Sequence, residues 1–119
     1  VTDDRVRRRI AAALADNGEQ LRALRRQYDD IVAASRDSNG DDEHDPEGTT
    51  IAFERQQVVA LIGQAETTRA DLQRSLVAVD DGAYGVCEVC GNPIGAGRLD
   101  ARPNARTCIV CASARQESR

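Results

Sequence analysis

Cys87, Cys90, Cys108 and Cys111 are the only cysteines in the chain, and they are spaced C-x2-C-x17-C-x2-C. Thiolates at i and i+3 on a tight knuckle can both reach one cation at about 2.3 Å, and a second knuckle completes a tetrahedron. One structural Zn2+ is therefore the expected cofactor, held by these four residues. Four protein thiolates leave no open position for water, which sets the metal apart from a Lewis-acid catalyst. Two other chemistries compete. A pair of disulfides needs an oxidising compartment, whereas the chain opens on Val1-Thr2-Asp3-Asp4-Arg5 with no apolar signal segment. A redox C-x-x-C usually stands alone at a helix start among alternating strands and helices; here it is doubled and no such alternation accompanies it. Both are weaker than zinc.

Other catalytic arrangements are missing from the sequence. The sole histidine, His44, sits in an acidic turn, so no Ser-His-Asp set can be assembled, and there is no glycine-rich G-x-x-x-x-G-K loop. Asp41-Asp42-Glu43 does not follow the alternating ligand pattern of an EF-hand. No enzyme activity is expected.

The elements that must position the cysteines follow from composition and periodicity. With one Phe, no Trp, no Met and 3% aromatic residues in 119, the chain is unsuited to a large globular core, and an elongated helical architecture fits better. The formal charge is -4, and a four-thiolate zinc site adds two further negative charges. Bulk attraction to nucleic acid is thereby disfavoured, and direct sequence-specific DNA binding is not expected. All 16 basic residues are arginine, a bias that GC-rich codon usage accounts for and that carries no function. The absence of a long apolar run predicts a cytoplasmic protein with no membrane partner.

From residue 2 to about 37, Ile10, Leu14, Leu21, Leu24, Tyr28 and Ile31 fall at three- and four-residue steps when Asn17 is counted in the stripe. That is a coiled-coil seam. Asn17-Gly18 interrupts it; a mid-helix glycine costs about 1 kcal/mol against alanine, and the alternative is two consecutive helices with a cap at Asn17. Asp45-Pro46-Glu47 reads as a second helix start, with an N-cap acceptor, a proline at the first position and an acid in the first turn. Ile51, Val58, Ala65, Leu72 and Val79 then repeat every seven residues, joined by Ile62 and Leu76, as far as Asp80-Asp81-Gly82.

The expected fold is mainly α: an antiparallel two-helix hairpin over 1–80, roughly 50 Å long at 1.5 Å per residue, then a four-cysteine zinc finger and short C-terminal helix over 81–119. Charge supports the antiparallel pairing. Arg5, Arg7, Arg8 and Arg9 come beside Asp80 and Asp81, and Asp29 and Asp30 come near Arg55, whereas a parallel dimer stacks the arginine run on itself. A monomer is predicted. The turn at about 38–48 gathers Asp37, Asp41, Asp42, Glu43, Asp45 and Glu47. Such a charge run is either a solvated acidic loop, its usual meaning, or a probe for a cation or basic surface. Asp42, Asp45 and Glu47 are the candidates for an effector role.

Around the cysteines the sequence is more specific than a spacing. The run from Tyr84 to Cys111 contains YG-x-C-x-x-CG, an isoleucine after the knuckle (Ile94), RL-x-A-x-P-x-A and the final C-x-x-C. It closely resembles the DksA/TraR zinc-finger family, over about a quarter of the chain. Gly91 suits a left-handed turn that aims backbone amides at sulfur, and Ile94 and Leu99 supply apolar lining. Arg98, Arg102 and Arg106 are candidates either for offsetting the negative metal cluster or for touching a partner. Residues 109–117 are predicted to form the terminal helix.

The resemblance implies a bacterial regulator of transcription that binds RNA polymerase core directly. In that family a coiled-coil hairpin enters the polymerase secondary channel, carrying its acidic tip toward the catalytic magnesium, while the zinc finger anchors the base at the channel rim. The tip here departs from the family's D-x-x-D-x-A: Gly48 and Thr50 follow Asp45, and pairing Asp42 with Asp45 puts Glu47 where alanine belongs. Family members that bind guanosine tetraphosphate use basic residues on the second helix and just after the last cysteine. A gapless match places Asp71 and Ala112 there, with Arg102 alone kept basic, which argues against alarmone binding. Two other classes stand beside the regulator: a nucleic-acid-binding zinc ribbon, opposed by the acidity and the scarcity of stacking aromatics, and a coiled-coil adaptor or homodimer.

Overall fold

The computed structural model describes residues 3–37 and 46–117, without the side chains of 3, 46–48, 116 and 117. Four helices follow one another: α1 (Asp3–Asp37), α2 (Pro46–Asp81), α3 (Ala96–Ala101) and α4 (Ile109–Glu117). Among the described residues there is no strand; an isolated antiparallel bridge joins Val86 and Pro93. The fold is mainly α, with α1 and α2 paired as a helical hairpin.

Local chemistry sets the helix ends. Pro46 opens α2, where its missing N–H costs nothing because first-turn donors have no intrahelical acceptor. At the other end Gly82 adopts φ 75°, and its N–H donates to the Val79 carbonyl at 3.2 Å while Ala83 N–H donates to the Ala78 carbonyl at 2.8 Å. This pair of bonds is a Schellman cap, which satisfies two carbonyls and turns the chain toward the cysteines.

The chain divides into two compact units, Asn17–Thr67 and Val1–Asp16 with Thr68–Arg119. In the first, Leu21, Leu24 and Ile31 of α1 meet Val58 and Ala65 of α2, with Tyr28, Ile51 and Ile62 packed at the edges. These are the predicted seam positions. Asn17 is buried among them, and its Nδ2 donates to the Ala65 carbonyl at 2.9 Å. The helix passes through Asn17–Gly18 without a break, so no cap forms there. Seam spacing turns the Asn17 amide toward α2, where it bonds across the pair instead of back onto its own chain. Arg25 and Glu66 form an exposed ion pair at 3.0 Å.

In the second unit Val6, Ile10, Leu72 and Val79 make the core, edged by Ala13, Leu14, Leu76 and Tyr84. Arg7 meets Asp80 at 2.7 Å, in the predicted antiparallel register. Arg9 turns instead to Asp100, at 3.1 Å from its carboxylate and 2.5 Å from its carbonyl. Ser75 is buried on α2, where its hydroxyl donates to the Asp71 carbonyl one turn back at 2.9 Å.

Candidate metal centre

Two backbone knuckles bring the four sulfurs together. In the first, Gly91 N–H donates to the Cys87 carbonyl at 3.0 Å and Cys87 N–H to the Asn92 carbonyl at 2.8 Å, closing the turn that holds Cys87 and Cys90 on one side. Gly91 has φ 77°, the left-handed region that the turn was expected to need. The second knuckle starts α4, whose Ala112 N–H donates to the Cys108 carbonyl at 2.9 Å. The knuckles are tied to each other by Glu88 N–H to the Arg106 carbonyl at 2.9 Å.

The Sγ atoms of Cys87, Cys90, Cys108 and Cys111 all lie within 4.8 Å of one another, and those of Cys90 and Cys108 are 3.8 Å apart. A tetrahedron with Zn–S bonds of about 2.3 Å has edges of about 3.8 Å. All four cysteines are free of disulfide bonds. Acidities across the quartet are unequal. Backbone N–H groups of Cys90 and Cys108 pull the Cys87 thiol down to about 6, whereas hydrogen bonding to Cys108, with burial, pushes Cys111 up to about 12. Four thiolates this close repel one another, and a dication among them removes the conflict. The donor set, its spacing and its closed geometry fit one structural zinc ion.

Around the metal ligands, side chains lock the finger. Arg98 Nε donates to the carbonyl of buried Thr107 at 2.8 Å, bracing the residue before Cys108. Arg106 binds the Glu88 carboxylate at 2.8 and 2.9 Å and approaches Asp71 of α2 at 3.5 Å. Its guanidinium holds the Glu88 carboxyl below the usual range, and Arg74 and Arg115 add to the effect. Arg102 lies exposed at the end of α3. Ile94 is buried, while half-buried Leu99 faces Gly85, its Cδ1 only 3.4 Å from where a Cβ would stand. Tyr84 Oη donates to the Pro103 carbonyl at 2.9 Å and packs against the α1–α2 core, joining finger to hairpin base.

Of the predicted site residues, the four cysteines are brought together and Arg98 and Arg106 take internal partners. Asp42 and Asp45 lie outside the described residues; Glu47 falls in the first turn of α2, with its side chain outside them. Glu88 and Asp71 were not singled out as partners of Arg106. Their only signal is opposite charge, and residues 18 and 35 positions from Arg106 meet it only through folding.

Paired helices and a closed four-cysteine centre together define a zinc-finger protein of mainly α fold. Residues 82–117 match the family described as prokaryotic dksA/traR C4-type zinc fingers. The finger of this chain is of the DksA/TraR type. Among curated relatives, it is 38% identical over 66 residues to the uncharacterized protein YteA of Bacillus subtilis, covering 56% of this chain and 28% of that one. It is 45% identical over 69 residues to the RNA polymerase-binding transcription factor DksA of Caulobacter vibrioides, covering 46% of this chain and 48% of the relative. The matches thus span about half or less of these relatives' lengths. The structure of transcription factor DksA2 from Pseudomonas aeruginosa superposes with a TM-score of 0.74 over 98% of this chain and 83% of its own, at 24% identity, a likeness of fold.

Proposed function

We propose that the protein is a regulator of bacterial transcription that binds RNA polymerase core directly and inserts the turn of its helical hairpin into the polymerase secondary channel. The supporting observation is the conjunction of a DksA/TraR-type finger with paired helices of 35 and 36 residues, in a chain whose relatives include proteins named RNA polymerase-binding transcription factors. The hairpin supplies reach, the finger anchors the base, and the turn carboxylates Asp42, Asp45 and Glu47 act near the polymerase metal site. Arg102, exposed on the finger, is the arginine available to the partner, while Arg106 pairs with the Glu88 carboxylate and Arg98 is engaged by the Thr107 carbonyl. Asp71, an acid within ion-pair reach of Arg106, favours action without an alarmone. The protein works as a cytoplasmic monomer and makes or breaks no bond itself.

A pulldown with core RNA polymerase tests this. Full-length protein is expected to retain polymerase in the absence of DNA, and a variant lacking residues 38–48 is expected to lose the transcriptional effect. Retention of free nucleic acid that weakens with salt, with no retention of polymerase, would instead identify a nucleic-acid-binding ribbon.

A further inference from the structure

Three arginines meet on one side of α1 near its start. Arg8 and Arg9 follow Arg5 by three and four residues, so both are its neighbours on the helix surface. Arg9 is matched by the Asp100 carboxylate of α3 at 3.1 Å. Arg5 and Arg8 are exposed, and among the described side chains neither holds a hydrogen bond or an ion pair. Asp4, four residues before Arg8, is bonded instead by Arg7 at 3.4 Å.

Helix physics makes this arrangement unfavourable. The free N–H groups of a first turn carry partial positive charge, so a cation such as Arg5 is disfavoured there, and like charges four residues apart repel. Farther along α1 the sequence avoids the conflict: Arg22 and Arg26 have Glu19, Asp29 and Asp30 at three- and four-residue steps, and Arg25 pairs with Glu66 at 3.0 Å. After Arg8 the corresponding positions are Ala11 and Ala12. No described carboxylate offsets the charge of Arg5 and Arg8.

The same ion pair joins this side of α1 to the finger. Arg9 binds the Asp100 carbonyl as well as its carboxylate, and Arg102, two residues farther on, is exposed at the end of α3. Exposed guanidinium groups thus stand on both of the elements that Arg9 and Asp100 hold together.

Resting on the reading that RNA polymerase core receives the protein, we infer that Arg5 and Arg8, in continuity with Arg102, dock on a carboxylate-rich surface of that polymerase. Guanidinium forks match carboxylates in bidentate pairs, which gives the unfavourable placement of these side chains a counterpart outside the chain. Phosphate offers the same match. Nucleic acid, however, must approach a chain of net charge -4, to which a four-thiolate zinc centre adds two negative charges in the same unit as these arginines. A local cluster of acids on a protein meets that field over a much smaller area.

The experiment compares wild type with the double variant Arg5→Gln, Arg8→Gln in thermal melts, in sedimentation across a concentration series, and in binding to core RNA polymerase and to a DNA duplex. Affinity for polymerase reduced about tenfold, a weaker salt dependence of that binding and a melt equal to or above wild type support the inference; charge reversal in Arg5→Glu, Arg8→Glu should weaken binding further. A lowered melt of the glutamine variant would assign the arginines a structural role and overturn it. Equal polymerase binding by wild type and variant overturns it too, and leaves the polymerase reading standing. Wild-type binding to the duplex that the variant loses would assign the face to phosphates, and a wild-type dimer that the variant loses would assign it to the acidic turn of a second copy; either result overturns the inference. If wild type does not bind core polymerase at all, both readings fall.

Discussion

Asn17 on α1 donates a hydrogen bond from its buried amide to the main-chain carbonyl of Ala65 on α2, at 2.9 Å, in the middle of an apolar seam. The bond fixes the register of the helices, because sliding either one by a turn leaves a buried amide without its acceptor. Asn17→Ala is expected to lower stability by about 1–2 kcal/mol, with helicity preserved. Urea unfolding followed by circular dichroism measures this; an unchanged midpoint would show that the bond contributes nothing net.

Glycines at two positions should respond in opposite senses. Gly63→Ala places a methyl group in open space on a helix and should stabilise by about 1 kcal/mol. Gly91→Ala forces a side chain into φ 77° at the zinc knuckle and should destabilise by about 1–2 kcal/mol. Thermal melts of the two zinc-loaded variants, run side by side, give the signs directly.

Loss of a ligand is more severe. Cys90→Ser should release zinc and unfold the finger, since a structural zinc contributes on the order of 10 kcal/mol of folding free energy. Metal content by atomic emission and a melt with and without chelator check this. A variant that retained stoichiometric zinc and its melting temperature would show that Cys90 is not a ligand.

Alkaline pH probes the junction of finger and hairpin base. Burial raises the Tyr84 phenol above 10.0, Arg9 lowers it and Asp100 raises it. The neutral form is thus favoured in the folded state. Stability from this residue is fully present below pH 10.0, the unfolded value, and is lost as pH rises through the higher folded value. Ultraviolet titration should show a late tyrosinate component that Tyr84→Phe removes; that variant should also flatten the alkaline loss of stability. An unaltered titration curve would place the late component elsewhere.

The acidic turn carries the last prediction. Asp42→Asn combined with Asp45→Asn should leave affinity for core polymerase within about twofold of wild type while abolishing the effect on transcription, on the reading that the finger anchors the complex and these carboxylates act near the polymerase metal. Equal loss of both would make the turn an anchor. In vitro transcription and a binding titration on the same preparations separate the outcomes.

Much of this protein is legible in its sequence because its strongest signals are periodic or local. Seam positions such as Leu21, Leu24 and Val58 recur at helical spacing, so their burial follows from the period alone. C-x-x-C pairs are legible for the same reason: knuckle geometry is fixed within a few residues. The end of α2 at Asp80-Asp81-Gly82 was equally local, since glycine is the residue that a left-handed cap requires.

Tertiary structure decided what depends on contacts between distant segments. Whether Asn17-Gly18 breaks the helix could not be settled from the dipeptide, because the answer lies in the Ala65 carbonyl of the opposite helix. Arg9 reaches Asp100 and not the paired acids at the end of α2, and Arg106 meets Glu88 and Asp71, through folds of the chain that no local propensity encodes. Sequence by itself determined the helices and the metal ligands, as short-range steric and coordination rules do. Only packing determined which arginines are spent inside the molecule and which stay exposed, since long-range ion pairs and exposure exist only once the segments have met.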